Sequence, residues 1–480
     1  MTKQLITMQL ITMQYRKISY ITTFFPLATL FLNGCSVWQD YMRPSVVIPA
    51  TYKESAEYEG WKTAQPGQAT ISQDWWQLYG DSALNNLIAE SNQANNSIQI
   101  AEANYRQAQA FAKGARAPLL PAVNGGAAIS STQAGRENSR SASNIGINAN
   151  WEIDLWGRIK SSIEAGEANA DATAADLEAF RLLVQASVAQ NYFQLRILDS
   201  QKKLLDNTAE SFDRSLKLTI NRYNVGLASR TEIAQAEAQL RTTRAQSIDI
   251  SAVRSQLEHA IAVLLGRPPA DFALPSSPFD NMTSIKLPVI PASLPSTLLE
   301  RRPDIAASER RMAEANAQIG VAKAALFPTL SLGASLGFEG TGVANLISLP
   351  NRFWSLGPAL AGPIFDNQLR RSQTEAAIAN YDATVSNYKQ TVLNGFQEVE
   401  DNLAILRILE AESKEQETAV RFAREAVEQT ENRYRAGISE YQNVVIVQST
   451  ALNAERNALS IIGRRLNASV GLMTALGGKF

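Results

Sequence analysis

Cysteine and histidine each occur only once in this 480-residue chain, and neither sign of charge is in excess. A single cysteine excludes an internal disulfide, and one cysteine with one histidine excludes the usual zinc ligand sets. The 45 Lys and Arg residues nearly balance the 46 Asp and Glu residues. Because this balance favours neither nucleic acid nor an acidic membrane surface, we predict no nucleic-acid partner.

The chain also lacks the short motifs of covalent chemistry. No nucleophile elbow, phosphate-binding glycine loop or paired-carboxylate pattern rises above chance. The motif RRPD at residues 301–304 is better explained as a helix start, with Pro303 in the first turn and Asp304 near the positive end of the helix dipole. We therefore predict that the protein is not an enzyme and that it holds no metal or cofactor.

The N-terminus has the layout of an export signal. Two basic residues precede an apolar stretch at residues 18–32, which is too short and too rich in Ser and Thr for a convincing membrane helix. The sequence LNGC then resembles a bacterial lipobox, which implies removal of a signal peptide at residues 1–34 and acyl chains on Cys35. Ser36 resembles the signal for onward sorting to the outer membrane. The simpler alternative is an ordinary secretory signal with an incidental cysteine.

An internal duplication organises the rest of the chain. NADAT at residues 169–173 matches NYDAT at residues 380–384, and the matches that follow keep the same offset of 211 residues. Earlier in each half the offset is 207, as between Pro121 and Pro328. One loop of the second half is therefore four residues longer. We predict two copies of an α-β-β-α-α unit.

Apolar residues in both halves step by three and four positions, which is the spacing of a coiled coil. The clearest series is Phe396, Val399, Leu403 and Leu406. No proline interrupts residues 157–222 or residues 367–433. At about 1.5 Å per residue, each stretch predicts one helix about 100 Å long. Gly266, followed by two prolines, is expected to end the first unit in the left-handed conformation.

Strict alternation of apolar and polar residues predicts strands. The clearest runs are residues 144–155 and residues 329–338. We predict four strands, at about 122–132, 143–155, 328–338 and 353–365. Their length of roughly ten residues and their aromatic flanks, such as Trp151 and Trp354, suit strands that cross an outer membrane.

Four strands cannot close a barrel, and an open edge would leave unpaired backbone groups in hydrocarbon. A barrel of about eight strands is filled by its own side chains, so an aqueous pore needs more. Three chains with four strands each reach twelve. We therefore predict a mainly α chain with a small β part, a homotrimer with a 12-stranded transmembrane β-barrel, and long helices that continue it as an α-barrel tunnel.

Five motifs carry a resemblance to a known family. They are YMRP at residues 41–44, DWWQLYGD at 74–81, WEIDLWGR at 151–158, RRPDI at 301–305 and ALFP at 325–328. In this order they resemble the TolC-like outer membrane factors, in the lipoprotein branch that serves resistance-nodulation-division (RND) pumps. The resemblance covers essentially the whole mature chain.

The resemblance implies the channel of a tripartite efflux system, lipid-anchored in the outer membrane and extending into the periplasm. A periplasmic adaptor would open the channel, and an inner-membrane RND-type pump would energise export. The implied division of the chain is signal peptide 1–34, lipidated equatorial segment 35–80, first repeat 81–266, equatorial linker 267–296, second repeat 297–477 and C-terminal end 478–480.

The turns after the long helices are read as helical hairpins with a glycine cap. In the resembled family such turns are the periplasmic tips that meet the adaptor. The docking candidates are therefore Val225, Gly226, Leu227, Gly437 and Ile438.

The family also closes its periplasmic aperture by polar contacts between the helix after the first tip and the second tip. The residues assigned to the aperture are Thr231, Glu232, Tyr434, Ser439, Glu440 and Asn443. The family has an arginine where this chain has Ser439, so closure is expected to use other pairs, such as Arg222 or Arg433 with Glu440. The simpler alternative is a solvated helix face.

A passive efflux channel is the leading hypothesis. The alternative is a structural coiled-coil lipoprotein that links the outer membrane to the cell wall, but such a protein has no need of strictly alternating strands. A periplasmic enzyme is disfavoured by the missing catalytic motifs.

Overall fold

The computed structural model describes residues 40–54, 74–133, 135, 139–279, 287–288 and 301–478. Within these ranges the first half forms α1 (Ser82–Ala94), α2 (Asn96–Ala115), β1 (Ala122–Thr132), β2 (Arg140–Ile153), α3 (Arg158–Asn224) and α4 (Arg230–Leu264). The second half forms α5 (Pro303–Ala324), β3 (Thr329–Gly340), β4 (Arg352–Ala361), α6 (Leu369–Arg435) and α7 (Tyr441–Ala475). The predicted signal peptide and Cys35 lie outside the described residues.

The helices confirm the duplication. Both α3 and α6 have 67 residues, and both α4 and α7 have 35. Every boundary of the second pair lies 211 residues after its counterpart in the first pair. At about 1.5 Å per residue, each long helix extends about 100 Å. Among the described residues, no helix is both long and apolar enough to cross a membrane.

The first repeat differs from the predicted α-β-β-α-α pattern because its leading helix is broken at Asn95. This residue has extended backbone angles, and its side-chain oxygen accepts hydrogen bonds from the N–H groups of Ser97 (2.9 Å) and Ile98 (3.1 Å). Its side-chain amide donates to the carbonyl of Leu264 (2.8 Å). Asparagine is a preferred N-cap, so α2 starts anew after it.

The strands form one antiparallel sheet in the order β1-β2-β3-β4, in the four segments where alternation predicts strands. Ile147 lies opposite Leu336, and Leu336 lies opposite Trp354. Opposite residues project from the same face of a sheet. Except for Phe353, which lies opposite Gly337 on the other face, the large apolar side chains therefore share one face. The most exposed on it are Val123, Ile129, Ile147, Leu336, Trp354, Leu356 and Leu360.

Two strands end earlier than the sequence predicts. β2 ends at Ile153 because Asp154 turns to cap α3, accepting hydrogen bonds from the N–H groups of Ile159 (3.0 Å) and Lys160 (2.8 Å). β4 ends at Ala361, four residues early, and Pro363 follows. Proline has no N–H to donate to a neighbouring strand.

The chain divides into two compact units. The first comprises Met1–Pro44, Arg106–Ala172 and Glu309–Asn387 and contains the sheet. The second comprises Ser45–Tyr105, Thr173–Ser308 and Tyr388–Phe480 and contains the helical hairpins.

Two irregular segments pack against the helices of the second unit. The backbone N–H groups of Lys53 and Glu54 donate to the carboxylate of Glu400 on α6, at 2.7 and 3.0 Å. The linker after α4 donates from the N–H of Ser277 to Asp199 on α3, at 2.9 Å. Irregular backbone thus obtains hydrogen bonds from long-helix side chains, as buried backbone groups require.

Glycines end both repeats by the same close contact. Gly266 and Gly477 have φ angles of +67° and +88°, as the sequence predicts for Gly266. A side chain at Gly266 would collide with the carbonyl of Ala94, and one at Gly477 with the carbonyl of Arg301. Only glycine combines the left-handed conformation with this approach of two backbones.

Candidate functional site

The first tip is the turn between α3 and α4. Gly226 has a φ of +76°, its N–H donates to the carbonyl of Tyr223 (2.9 Å), and the N–H of Leu227 donates to the carbonyl of Arg222 (2.7 Å). This pattern is a Schellman cap, which requires a left-handed residue and therefore favours glycine. The side chains of Val225 and Leu227 are 69% and 67% exposed.

Helix α4 begins with a reciprocal cap. The hydroxyl of Ser229 accepts a hydrogen bond from the N–H of Glu232 (3.2 Å), and the carboxylate of Glu232 accepts one from the N–H of Ser229 (3.1 Å). This capping box fixes the Glu232 side chain by satisfying two free N–H groups. Thr231, the other aperture candidate on this turn, is exposed.

The second tip, between α6 and α7, repeats the turn. Gly437 has a φ of +76°, and the N–H of Ile438 donates to the carbonyl of Arg433 (2.9 Å). Ile438 is 69% exposed. Glu440 occupies the N-cap position without a side-chain cap, and the amide of Asn443 donates to the hydroxyl of Ser439 (3.3 Å).

Tyr434 joins the two tips. Its hydroxyl donates to the Glu232 carboxylate (3.2 Å) and lies 3.3 Å from the hydroxyl of Thr219. Its ring is buried in an apolar cluster of both hairpins, formed by Ala209, Phe212, Leu216, Ala236, Leu240, Tyr434, Tyr441 and Val444. The structure therefore brings together Glu232 and Tyr434, which the sequence proposes for the aperture.

Burial raises the pKa of Tyr434 above its ordinary value. The nearby Glu232 carboxylate acts in the same direction, because a phenolate beside it would meet a like charge, whereas the hydrogen bond with Thr219 opposes the shift. Tyr434 therefore stays protonated and can donate its hydroxyl hydrogen throughout the neutral pH range.

Arg222 supplies a second link, which differs from the expected pairing with Glu440. Its guanidinium donates to the carbonyl of Tyr434 (2.8 Å) and lies 4.6 Å from the centre of the Tyr434 ring. The end of α6 has free carbonyl groups and a partial negative charge, which a cation stabilises. The tandem Arg-Tyr pair, present at both tips, is the sequence signal that indicates this contact.

The remaining candidates are placed as follows. Ser439 and Asn443 contact each other, while Glu440 is exposed, and no described ion pair joins it to Arg222 or Arg433. Within the described ranges, no group of three or more His, Cys, Asp or Glu side chains is arranged to hold a metal ion.

Comparisons with known proteins agree on one family. The family model described as outer membrane efflux protein matches residues 87–267 and 294–478. The pyoverdine export outer membrane protein OpmQ of Pseudomonas aeruginosa is 29% identical over 94% of this chain and 95% of its own length. The probable efflux pump outer membrane protein TtgC of Pseudomonas putida is 30% identical over 94% of each chain.

A solved structure shares the fold over nearly the whole length. The outer-membrane channel OprN superposes with a TM-score of 0.85 at 28% identity, covering 92% of this chain and 99% of that one. The duplicated hairpins, the exposed apolar sheet face and these matches lead to one conclusion: the chain belongs to the outer membrane efflux protein family and is an outer-membrane efflux channel of the TolC-like type.

Proposed function

We propose that three copies of this chain form one ring, in which their sheets close a transmembrane barrel and their long helices enclose a tunnel into the periplasm. The observation that carries the proposal is the sheet itself. Among the described residues, β1 pairs only with β2, and β4 pairs only with β3, so this sheet has two open edges. Its exposed apolar face suits lipid, where open edges must be paired.

The exposed side chains at the tips indicate where a protein partner binds. Val225, Leu227 and Ile438 are each about two-thirds exposed on turns that end long helices. Exposed apolar groups clustered at one end of a protein mark a site of protein contact. We assign Val225, Gly226, Leu227, Gly437 and Ile438 to docking of a periplasmic adaptor, which couples the channel to an inner-membrane pump.

The closed aperture rests on the contacts between the two tips. Glu232 and Tyr434 form its central hydrogen bond, and Arg222 is added to the residues assigned from sequence. The chain acts as a passive conduit, so the proposal assigns it no catalytic step. A structural coiled-coil lipoprotein, the alternative reading of the sequence, gives no reason for a sheet with one apolar face.

Ion conduction tests whether the protein forms a pore and which face of its sheet contacts lipid. The purified full-length protein in a planar bilayer should give discrete conductance steps. Ile147→Lys should abolish them, because Ile147 is on the apolar face and a cation in mid-membrane costs about 2–4 kcal/mol. Asn148→Lys, one residue along on the opposite face, should insert normally and alter only the conductance.

Two outcomes would refute the proposed ring. One is a wild-type protein that forms no pore, and the other is equal membrane insertion of the Ile147→Lys and Asn148→Lys variants. Native mass spectrometry of the same samples should give the mass of three chains.

Lipidation of Cys35 is proposed from the lipobox and is tested separately. Cells expressing the wild-type chain should incorporate labelled palmitate into it, and the mature protein should begin at Cys35. Cys35→Ala should lose the label and accumulate the uncleaved precursor, because the acyl chains are attached to this thiol and amine. Ser36→Ala is the matched control and should keep the label; a labelled Cys35→Ala variant would disprove the anchor.

A further inference from the structure

In the part of the chain that the structure describes, the arginine–tyrosine contact between the two tips is present once. The sequence contains its two residues twice. Arg222 lies over Tyr434, which is 3% exposed. The 211-residue offset gives Arg433 and Tyr223 as their counterparts. Both counterparts are at the surface: Tyr223 is 43% exposed, and Arg433 is exposed as well.

A ring of duplicated chains has two related interfaces. One runs from the first repeat to the second within a chain, and the other runs from the second repeat to the first repeat of the next copy. A head-to-tail contact that closes a ring must repeat the same geometry at each step. If the two interfaces are alike, each contact within the chain has a counterpart between copies, found by shifting both residues by 211.

We propose that Arg433 of one copy caps the first tip of the neighbouring copy, an inference that rests on the proposed ring. Its guanidinium donates to the backbone carbonyl of Tyr223 in that copy and lies over the Tyr223 ring, as Arg222 does at Tyr434. The occupant of the exposed surface around Tyr223 is thus a second copy of this chain, and the aperture is held by arginine–tyrosine contacts both within and between copies.

The same shift of 211 residues also gives the partners of the Tyr223 hydroxyl. Thr219, which touches Tyr434, corresponds to Thr430, and Glu232 corresponds to Asn443. The Asn443 amide nitrogen already donates to Ser439 (3.3 Å), so the amide oxygen is its acceptor for Tyr223. Because a neutral acceptor binds a hydroxyl less strongly than a carboxylate, the contact between copies is the weaker one and opens first.

A second contact, higher on the helices, supports the same shift. Ile197 on α3 is 1% exposed and packs against Gly463 on α7. A Cβ at residue 463 would lie 3.3 Å from the Cγ1 of Ile197. Their counterparts are Ile408 on α6 and Ala252 on α4. Ile408 is 57% exposed, and Ala252 is also exposed. In the proposed ring, the exposed Ile408 of one copy therefore packs against the exposed Ala252 of the next.

Disulfide trapping tests the interface in the full-length protein. Ile408→Cys with Ala252→Cys should form a disulfide between copies, seen as multimers on a non-reducing gel. Ile197→Cys with Gly463→Cys is the matched control and should form a disulfide within one chain, since the Cγ1 of Ile197 lies 3.3 Å from the place of a Cβ at residue 463. A trimer in which the control pair oxidises and the first pair stays reduced would overturn the inference.

Channel recordings test Arg433 and Tyr223 themselves. Arg433→Ala should raise the ratio of open to closed dwell times by roughly threefold to thirtyfold, as loss of a cation–π contact implies. Tyr223→Ala should also raise the ratio, and the double variant should open less than the sum of the two single effects, because both changes remove the same contact between guanidinium and ring. Additive effects, or an unchanged ratio in Arg433→Ala, would overturn the contact.

The two proposals fail in different ways. If the wild-type protein conducts as a trimer while Arg433→Ala behaves like wild type, the channel stands and the contact between copies is wrong. If the wild-type protein neither conducts nor assembles, the proposed ring itself is wrong.

Discussion

Replacement of Tyr434 by alanine is expected to open the periplasmic end of the channel and to raise its conductance several-fold. The Tyr434 ring is 3% exposed and fills the centre of the cluster that holds the two tips together. Loss of a large buried side chain costs about 3–5 kcal/mol, because it leaves a cavity that the surrounding residues fill only partly. Its hydrogen bond to Glu232 and its contact with Arg222 are lost at the same time.

Tyr434→Phe separates the ring from the hydroxyl. Phenylalanine keeps the buried ring and the contact with the Arg222 guanidinium, but it loses the hydrogen bond to Glu232 and the contact with the Thr219 hydroxyl. A hydrogen bond to a charged group contributes about 1.5–3 kcal/mol. The conductance of Tyr434→Phe should therefore lie between the values of the wild type and Tyr434→Ala.

Phe422→Ala is the control for loss of an aromatic ring. Phe422 is also on α6, but it is 57% exposed, so its removal leaves no cavity and should not change conductance. Hydrogen exchange at residues 209–216 should accelerate in Tyr434→Ala only. If Tyr434→Ala conducts like the wild type while exchange there is fast, Tyr434 stabilises the tip without closing the aperture.

The sequence predicts the helices and strands whose side chains repeat with a regular period. Coiled-coil spacing locates α3 and α6 to within two residues, and alternation, strict in β2 and β3 and weaker in β1 and β4, locates the four strands, because buried faces impose a period on the chain. The glycine turns are equally clear, since a left-handed residue at Gly226 and Gly437 has few other solutions. These features are local, and local chemistry decides them.

Features that depend on one side chain reaching a distant backbone group were missed. Asn95 breaks the first helix by capping α2, and Asp154 ends β2 two residues early by capping α3. Arg222 caps the second tip instead of pairing with Glu440. A polar residue on a helix has several partners within reach, and only the packing of the hairpins selects one.

Replacement of Arg254 by alanine is expected to destabilise the second unit by about 3–5 kcal/mol, because it leaves a buried carboxylate without its charge partner. The side chain of Asp199 is 0% exposed, and Arg254, at 16% exposure, donates to it at 2.7 Å. Arg254 also donates to the backbone carbonyl of Leu274 (2.6 Å), and Asp199 accepts from the N–H of Ser277 (2.9 Å). The pair therefore holds the linker against α3 and α4.

Arg244→Ala is the matched control, because Arg244 joins α4 to α3 through Asp213 in the same way but at the surface. Arg244 and Asp213 are 47% and 29% exposed and 3.4 Å apart. Solvent screens such a pair, so its loss should leave thermal unfolding near that of the wild type. The double variant Asp199→Asn with Arg254→Leu should recover part of the stability lost in Arg254→Ala, since position 199 then carries no buried charge. Glu258, which Arg254 also binds at 3.2 Å and which is 16% exposed, still loses its partner in both variants.

Thermal unfolding and hydrogen exchange distinguish a local from a global effect of Arg254→Ala. Release of the linker alone should speed exchange at the amides of Leu274 and Ser277, because Arg254 holds the carboxylates of Glu258 and Asp199 that accept from them. Exchange in the apolar cluster around Tyr434 should stay unchanged. A lower unfolding temperature should accompany the faster exchange, because the buried Asp199 carboxylate then lacks its charge partner. If Arg254→Ala and Arg244→Ala unfold alike, the buried pair adds no stability and the linker is held by its other contacts, such as the N–H of Phe279 donating to Ser200 (2.9 Å).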